Sequence, residues 1–164
     1  MTNNITIRNA TSNDAELIME FIKGLAIYEK LEHEVVGSVA DIRRTLFGDR
    51  PAAEVLIAEL NGQPSGFALF FTSYSTFLAQ AGIYLEDLFV LPQARGHGLG
   101  KALLARLAAM VVERKMGRLD WSVLDWNNPA IEFYESLGAR GMNEWTQYRL
   151  TGEPLVTLAD SVQS

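Results

Sequence analysis

Ile83-Tyr84-Leu85-Glu86-Asp87-Leu88-Phe89-Val90 is an apolar run rich in strand formers, and Arg95-Gly96-His97-Gly98-Leu99-Gly100 separates it from a helical run that starts at Lys101. Strand, glycine loop and helix in that order build an anion site. Glycine at every second position lets the backbone turn with its N–H groups exposed, and the following helix points its positive end at the same spot. Arg95 sets a guanidinium beside those bare amides, which suits a phosphate. A pyrophosphate is the expected occupant.

Two other phosphate loops fit less well. A dinucleotide fingerprint needs G-x-G-x-x-G, whereas the spacing here is G-x-G-x-G. A nucleoside-triphosphate loop needs Gly-Lys followed by a hydroxyl for magnesium, and Gly100-Lys101 is followed by Ala102. The remaining alternative is a ligand-free strand-to-helix connection, and Arg95 weighs against it.

Outward from the loop, the pattern predicts an α/β (α+β) chain. Ile5-Thr6-Ile7-Arg8 alternates like a first strand, and Thr11-Ser12-Asn13-Asp14 starts a helix through Leu17, Phe21, Leu25 and Tyr28. Ser38-Val39-Ala40-Asp41 starts a second helix that ends near Gly48. Val55 to Leu60 and Gly66 to Ser73 form a hairpin across Asn61-Gly62. After the loop, a helix carries Leu99, Leu103 and Leu107 as far as Gly117, and Leu119 to Leu124 reads as a strand. Asn127-Asn128-Pro129 opens a short helix that ends at Gly138, and Met142 to Leu150 reads as a last strand. The expected order is β-α-α-β-β-β-α-β-α-β, one domain over residues 1–164 with a mixed sheet flanked by helices.

At 164 residues with 48% hydrophobic side chains and a mean hydropathy of +0.05, the chain can bury the core of one ordinary domain. The net charge of −6 disfavours nucleic acid as partner and suits a cationic or amine substrate. With no cysteine there is no thiol nucleophile, and with only His33 and His97, far apart in sequence, no metal is expected. Nothing at the start reads as a signal peptide and no apolar stretch is long enough to span a bilayer, so no membrane partner and a cytoplasmic location are expected.

The loop and the downstream Asn127-Asn128-Pro129-Ala130-Ile131-Glu132-Phe133-Tyr134-Glu135-Ser136-Leu137-Gly138-Ala139 together resemble the GNAT (GCN5-related) N-acetyltransferase superfamily. Tyr84-Leu85-Glu86-Asp87, Trp126-Asn127-x-Pro129 and Ile22-Lys23-x-Leu25-Ala26-x-Tyr28-Glu29 carry a closer resemblance to the diamine (spermidine/spermine) and thialysine acetyltransferases. The resemblance implies a splayed, mostly antiparallel sheet, acetyl-CoA as cosubstrate and a homodimer. It also implies that Leu88 and Val90 offer backbone groups to the pantetheine arm. Arg95, Gly96, His97, Gly98, Leu99, Gly100 and Lys101 then form the pyrophosphate loop, Asn127 touches the cofactor and Tyr134 stands near its sulfur. Relatives of this kind often carry serine where this chain has Ala130, which removes one polar cofactor contact.

Acyl transfer from a thioester to an amine needs a neutral amine, a stabilised oxyanion and a proton for the departing thiolate. Glu86 is the expected base. Neighbours on a strand face opposite sides, so at most one of Glu86 and Asp87 is expected in the substrate cleft. Tyr134 is the expected acid, since a phenol of pKa about 10 can donate to a thiolate whose acid has a pKa of about 8.5. Tyr28, Glu29 and Glu32 are the expected acceptor side, with a small cationic amine as substrate. A protein or peptide amine acetyltransferase and a non-catalytic acyl-CoA sensor are the alternatives. The sensor would need neither Glu86 nor Tyr134.

Overall fold

The computed structural model describes residues 2–162, so residues 1, 163 and 164 of the expected domain lie outside the described residues. The chain divides into two compact units, Met1–Leu124 and Asp125–Ser164.

In the first unit the elements run β1 (Ile5–Asn9), α1 (Ala15–Glu29), α2 (Val39–Leu46), β2 (Glu54–Leu60), β3 (Gln63–Ser75), β4 (Gln80–Val90), α3 (Leu99–Glu113) and β5 (Leu119–Trp121). The strands form one sheet in the order β1-β2-β3-β4-β5, antiparallel from β1 to β4. Only the β4–β5 pair is parallel, because α3 carries the chain back between them. The β2–β3 turn is the expected one, with Asn61 and Gly62 both at positive φ (53° and 80°) as a two-residue hairpin requires.

Period-two alternation gives the sheet two apolar faces. On one, Phe21 of α1 stacks on Phe67 at 5.5 Å and meets Phe89 at 6.3 Å, with Val55 and Ile57 beside them. On the other, buried Leu99, Leu103 and Leu107 of α3 cover the face that carries Leu56, Ala68, Phe70, Ile83 and Leu85. Each such side chain contributes about 1.5–3 kcal/mol when fully buried. The start of α1 is pinned to the sheet by Arg8, whose guanidinium donates twice to Asp14 at 2.9 Å and once to Glu59 at 2.7 Å. Asp14 also accepts from the Thr11 N–H at 2.7 Å, and Arg8 holds its carboxyl below the ordinary carboxylate range. The second helix starts as expected, with the Ser38 hydroxyl accepting from the Asp41 N–H at 3.2 Å.

The second unit contains α4 (Asn128–Ser136) and α5 (Gly152–Asp160). The sequence reading needs two corrections, one in this unit and one at β5 of the first. Met142 to Leu150 forms no strand: Trp145, Thr146 and Tyr148 supply strand propensity but no ladder partner, and no strand pairs with this stretch among the described residues. The tail beyond it, which carries little sequence signal, forms α5. The strand expected over Leu119 to Leu124 ends at Trp121, where its pairing with β4 stops. Among the described residues no helix is long and apolar enough to cross a membrane.

Candidate active site

The site begins where β5 leaves β4. β5 pairs only with Ile83, Tyr84 and Leu85, so the stretch of β4 after Leu85 has an uncovered edge. Hydrogen bonds show which backbone groups face that edge. The Ala81 carbonyl accepts from the Gly117 N–H at 2.9 Å and the Ile83 N–H donates to the Arg118 carbonyl at 3.0 Å, so odd residues there point to the β5 side. The Leu91 N–H instead donates to the Ser65 carbonyl at 2.8 Å, toward β3. An extra residue must therefore intervene. It is Glu86: Leu69 stands opposite Asp87, Phe70 opposite Leu85, and Glu86 bulges out between them. After the bulge, Leu88 and Val90 turn their N–H and C=O groups to the uncovered edge, where an extended ligand would add as a strand.

The bulge also re-aims side chains. Leu85 lies in the core on the α3 face, whereas Asp87 shares the α1 face with its ladder partner Leu69 and with Phe89. Strict alternation does not hold across a bulge, so it does not by itself fix the sides that Glu86 and Asp87 take. Glu86 is exposed and Asp87 half-buried. Desolvation, followed by the charges of Glu86 and Glu29, pushes the Asp87 carboxyl up to about 6. Glu29, in the last turn of α1, is itself raised by burial. The structure thus groups Glu29, Glu86 and Asp87. Glu32, on an exposed turn over Glu32–Glu34, is not among the charges that Asp87 feels. His33 on that turn makes only a surface contact of 3.5 Å with Glu34.

Beside this group lies the glycine loop. Gly96 and Gly98 have φ of 81° and 90°, a region that L side chains rarely adopt, and Gly98 is the N-cap of α3. A Cβ at Gly96, Gly98 or Gly100 would meet no protein atom within 4 Å. Their glycine identity is therefore not forced by packing, and the loop presents open backbone as a cradle for a phosphate would. The N–H groups of Leu99, Gly100 and Lys101 fall in the first turn of α3 and have no partner within the helix. Leu99 can offer only its backbone, since its side chain is core. His97 accepts at Nδ1 from the Asn3 side chain at 2.8 Å with the amide and tautomer so assigned. Arg95 donates from Nε to the Val90 carbonyl at 3.1 Å and lies over the Tyr28 ring.

In the second unit, Asn127 caps α4 by accepting from the Ala130 N–H at 3.4 Å, and Gly138 at φ 90° ends the helix as expected. Tyr134 lies on α4, its ring 5.7 Å from that of Phe133.

The sequence model of the acetyltransferase (GNAT) family matches residues 24–139, from the last turns of α1 to just past α4. The chain belongs to that family. This acetyltransferase is 33% identical to an L-ornithine N5-acetyltransferase of Arabidopsis thaliana, over 91% of its own chain and 85% of that protein. It is 35% identical to the thialysine N-epsilon-acetyltransferase of Mus musculus, over 93% and 96% respectively. Among solved structures, an integron cassette protein of V. cholerae superposes with a TM-score of 0.80 at 28% identity, covering 98% of this chain and 99% of that one. The mixed sheet with helices on both faces is the fold expected from the sequence. The chain is an N-acetyltransferase. Asp87 is a raised carboxyl that the sequence did not single out: its type is legible beside Glu86, but the bulge that sets its surroundings is not.

Proposed function

We propose that this acetyltransferase transfers an acetyl group from acetyl-CoA to a primary amine of a small cationic molecule, a diamine, polyamine or lysine-like compound. The observation that carries this reading is the group of three carboxylates, Glu29, Glu86 and Asp87, beside the uncovered edge of β4. A second ammonium about 4 Å from a partly exposed carboxylate gains on the order of 1–4 kcal/mol before desolvation. The relatives named for ornithine and thialysine act on amines of this kind.

Acetyl-CoA supplies the activated acyl group, and the first turn of α3 fits its pyrophosphate. The Leu88 N–H is the donor suited to the negative charge that develops on the acyl oxygen. Asp87 is a better base than Glu86 on two grounds: it is held away from water, and a carboxyl near 6 is ionised at neutral pH yet basic enough to take a proton from an ammonium, directly or through water. Glu86 and Glu29 then hold the cationic acceptor. Tyr134 is assigned as the acid for the thiolate on the chemistry of its hydroxyl and the resemblance of its motif. The homodimer and the cytoplasmic location belong to the same reading and rest on the family resemblance and on the sequence.

The test is a panel of diamines, spermidine, ornithine, lysine analogues, monoamines and peptides, assayed with acetyl-CoA for thiol release. A diamine is expected to exceed its matched monoamine in kcat/KM by about tenfold at low salt, the equivalent of about 1.4 kcal/mol. Equal rates for the pair, or preference for peptides, would refute the assignment.

A further inference from the structure

The side-chain contacts of Arg95 point away from the phosphate role that its motif implies. Its guanidinium carbon lies 4.9 Å over the centre of the Tyr28 ring and 5.8 Å from that of Phe89, while Nε donates to the Val90 carbonyl. These partners belong to separate parts of the site. Tyr28 sits in the last turn of α1, one residue before Glu29. Val90 ends β4 at the uncovered edge, and Arg95 itself opens the glycine loop.

The end of α1 needs such a tie. The helix meets the sheet at Gly24, where a Cβ would stand 2.7 Å from the Phe89 ring. Beyond that contact Leu25 and Ala26 are still buried, whereas Ile27 is 62% exposed and Tyr28 39%. It stops at Lys30, which takes a left-handed conformation at φ 62°. A planar guanidinium can stack flat on Tyr28 while its Nε donates to a carbonyl, a fixed geometry that a compact lysine ammonium does not reproduce.

We propose that Arg95 is a positioning residue for the acceptor, a clasp that ties the end of α1, and with it Glu29, to the cofactor edge of β4. The acceptor half of this inference rests on the proposed function; the clasp itself does not. One side chain then links the loop suited to phosphate to the helix that presents a carboxylate toward Asp87. Loosening the clasp frees Glu29 and weakens acceptor binding, and leaves the amides of α3 in place.

The experiment compares Arg95→Gln, Tyr28→Leu, Tyr28→Phe and the double variant Arg95→Gln/Tyr28→Leu with the parent. Three quantities are read: amide hydrogen exchange over residues 26–31 in the unliganded protein, calorimetric affinity for coenzyme A, and kcat and KM for a diamine. Arg95→Gln is expected to speed exchange over residues 26–31 and to raise the diamine KM about 2- to 30-fold, the range of a cation–π contact from exposed to desolvated. The fold rise in diamine KM is expected to exceed any change in coenzyme A affinity, the pattern of a side chain whose larger loss falls on acceptor binding. Tyr28→Phe keeps the ring and is expected to retain slow exchange. Tyr28→Leu is expected to match Arg95→Gln, and the double variant to exchange no faster than either single one. Unchanged exchange in Arg95→Gln, additive effects, or a tenfold loss of coenzyme A affinity at constant diamine KM would overturn the proposal. If the parent acetylates no diamine, the proposed function fails alone, and the exchange comparison still decides the clasp.

Discussion

Replacing Gly100 by valine tests the phosphate cradle with little interference from folding. At Gly98 the same change would be ambiguous: φ is 90° there, and forcing a side chain into left-handed backbone costs about 1–2 kcal/mol before any ligand is considered. Gly100 is different. It lies in the first turn of α3, its φ is not positive, and an added Cβ meets no protein atom within 4 Å. Glycine costs about 0.5–1 kcal/mol relative to alanine inside a helix, so the folded chain is expected to tolerate the change or gain slightly. A ligand would not tolerate it, because two methyl groups would occupy the approach to the N–H groups of Leu99, Gly100 and Lys101. Each hydrogen bond to a charged group is worth about 1.5–3 kcal/mol, so losing one predicts roughly a 10- to 150-fold rise in the Kd for coenzyme A. Calorimetry with coenzyme A and with pantetheine, which lacks the pyrophosphate, together with a thermal melt, reads all three quantities. The expected pattern is a weakened coenzyme A complex, an unchanged pantetheine complex and a Tm equal to or above that of the parent. A coenzyme A Kd within about threefold of the parent, with the Tm unchanged, would show that the loop does not hold phosphate.

Asp87→Asn is expected to separate activity from stability. The folded state raises this carboxyl from 3.8 to about 6, so between those values the folded chain binds the extra proton and stability falls as pH rises. The full cost, of the order of 2–3 kcal/mol, is present above about pH 6, and the asparagine variant should melt higher than the parent at pH 8 by an amount that vanishes below about pH 4. The same variant should lose about a hundredfold or more in kcat, and the parent kcat/KM should rise with pH through about 6; equal activity would remove Asp87 from the chemistry. Tyr134→Phe should lower kcat by about a hundredfold to ten-thousandfold with coenzyme A affinity intact, measured where chemistry limits the rate, and a loss below about threefold would leave Tyr134 to packing. Gly24→Ala should lower the unfolding free energy by about 1–3 kcal/mol despite alanine's better helix propensity, since its Cβ would stand 2.7 Å from the Phe89 ring; a gain in denaturant stability would show that the ring can move away.

Local chemistry was enough to read much of this protein. The turn at Asn61-Gly62, the Ser38 cap, the glycine loop between strand and helix, and the cap and stop of α4 each depend on residues within a few positions of one another, and each appears where the sequence predicts it. Family membership follows from two such local motifs in the right order. What depends on a partner distant in sequence was not legible. Met142 to Leu150 holds strand formers such as Trp145, Thr146 and Tyr148 but has no ladder to join, and the bulge at Glu86 arises only from the register of β3 against β4. That bulge reverses which face Asp87 takes and exposes the backbone of Leu88 and Val90, because one added residue shifts a period of two by half. The raised carboxyl of Asp87, its proximity to Glu29 and the seat of Arg95 on Tyr28 follow from that packing. Residue types set what chemistry is available in this chain, and tertiary packing decides how two adjacent carboxylates come to differ in burial and in acidity.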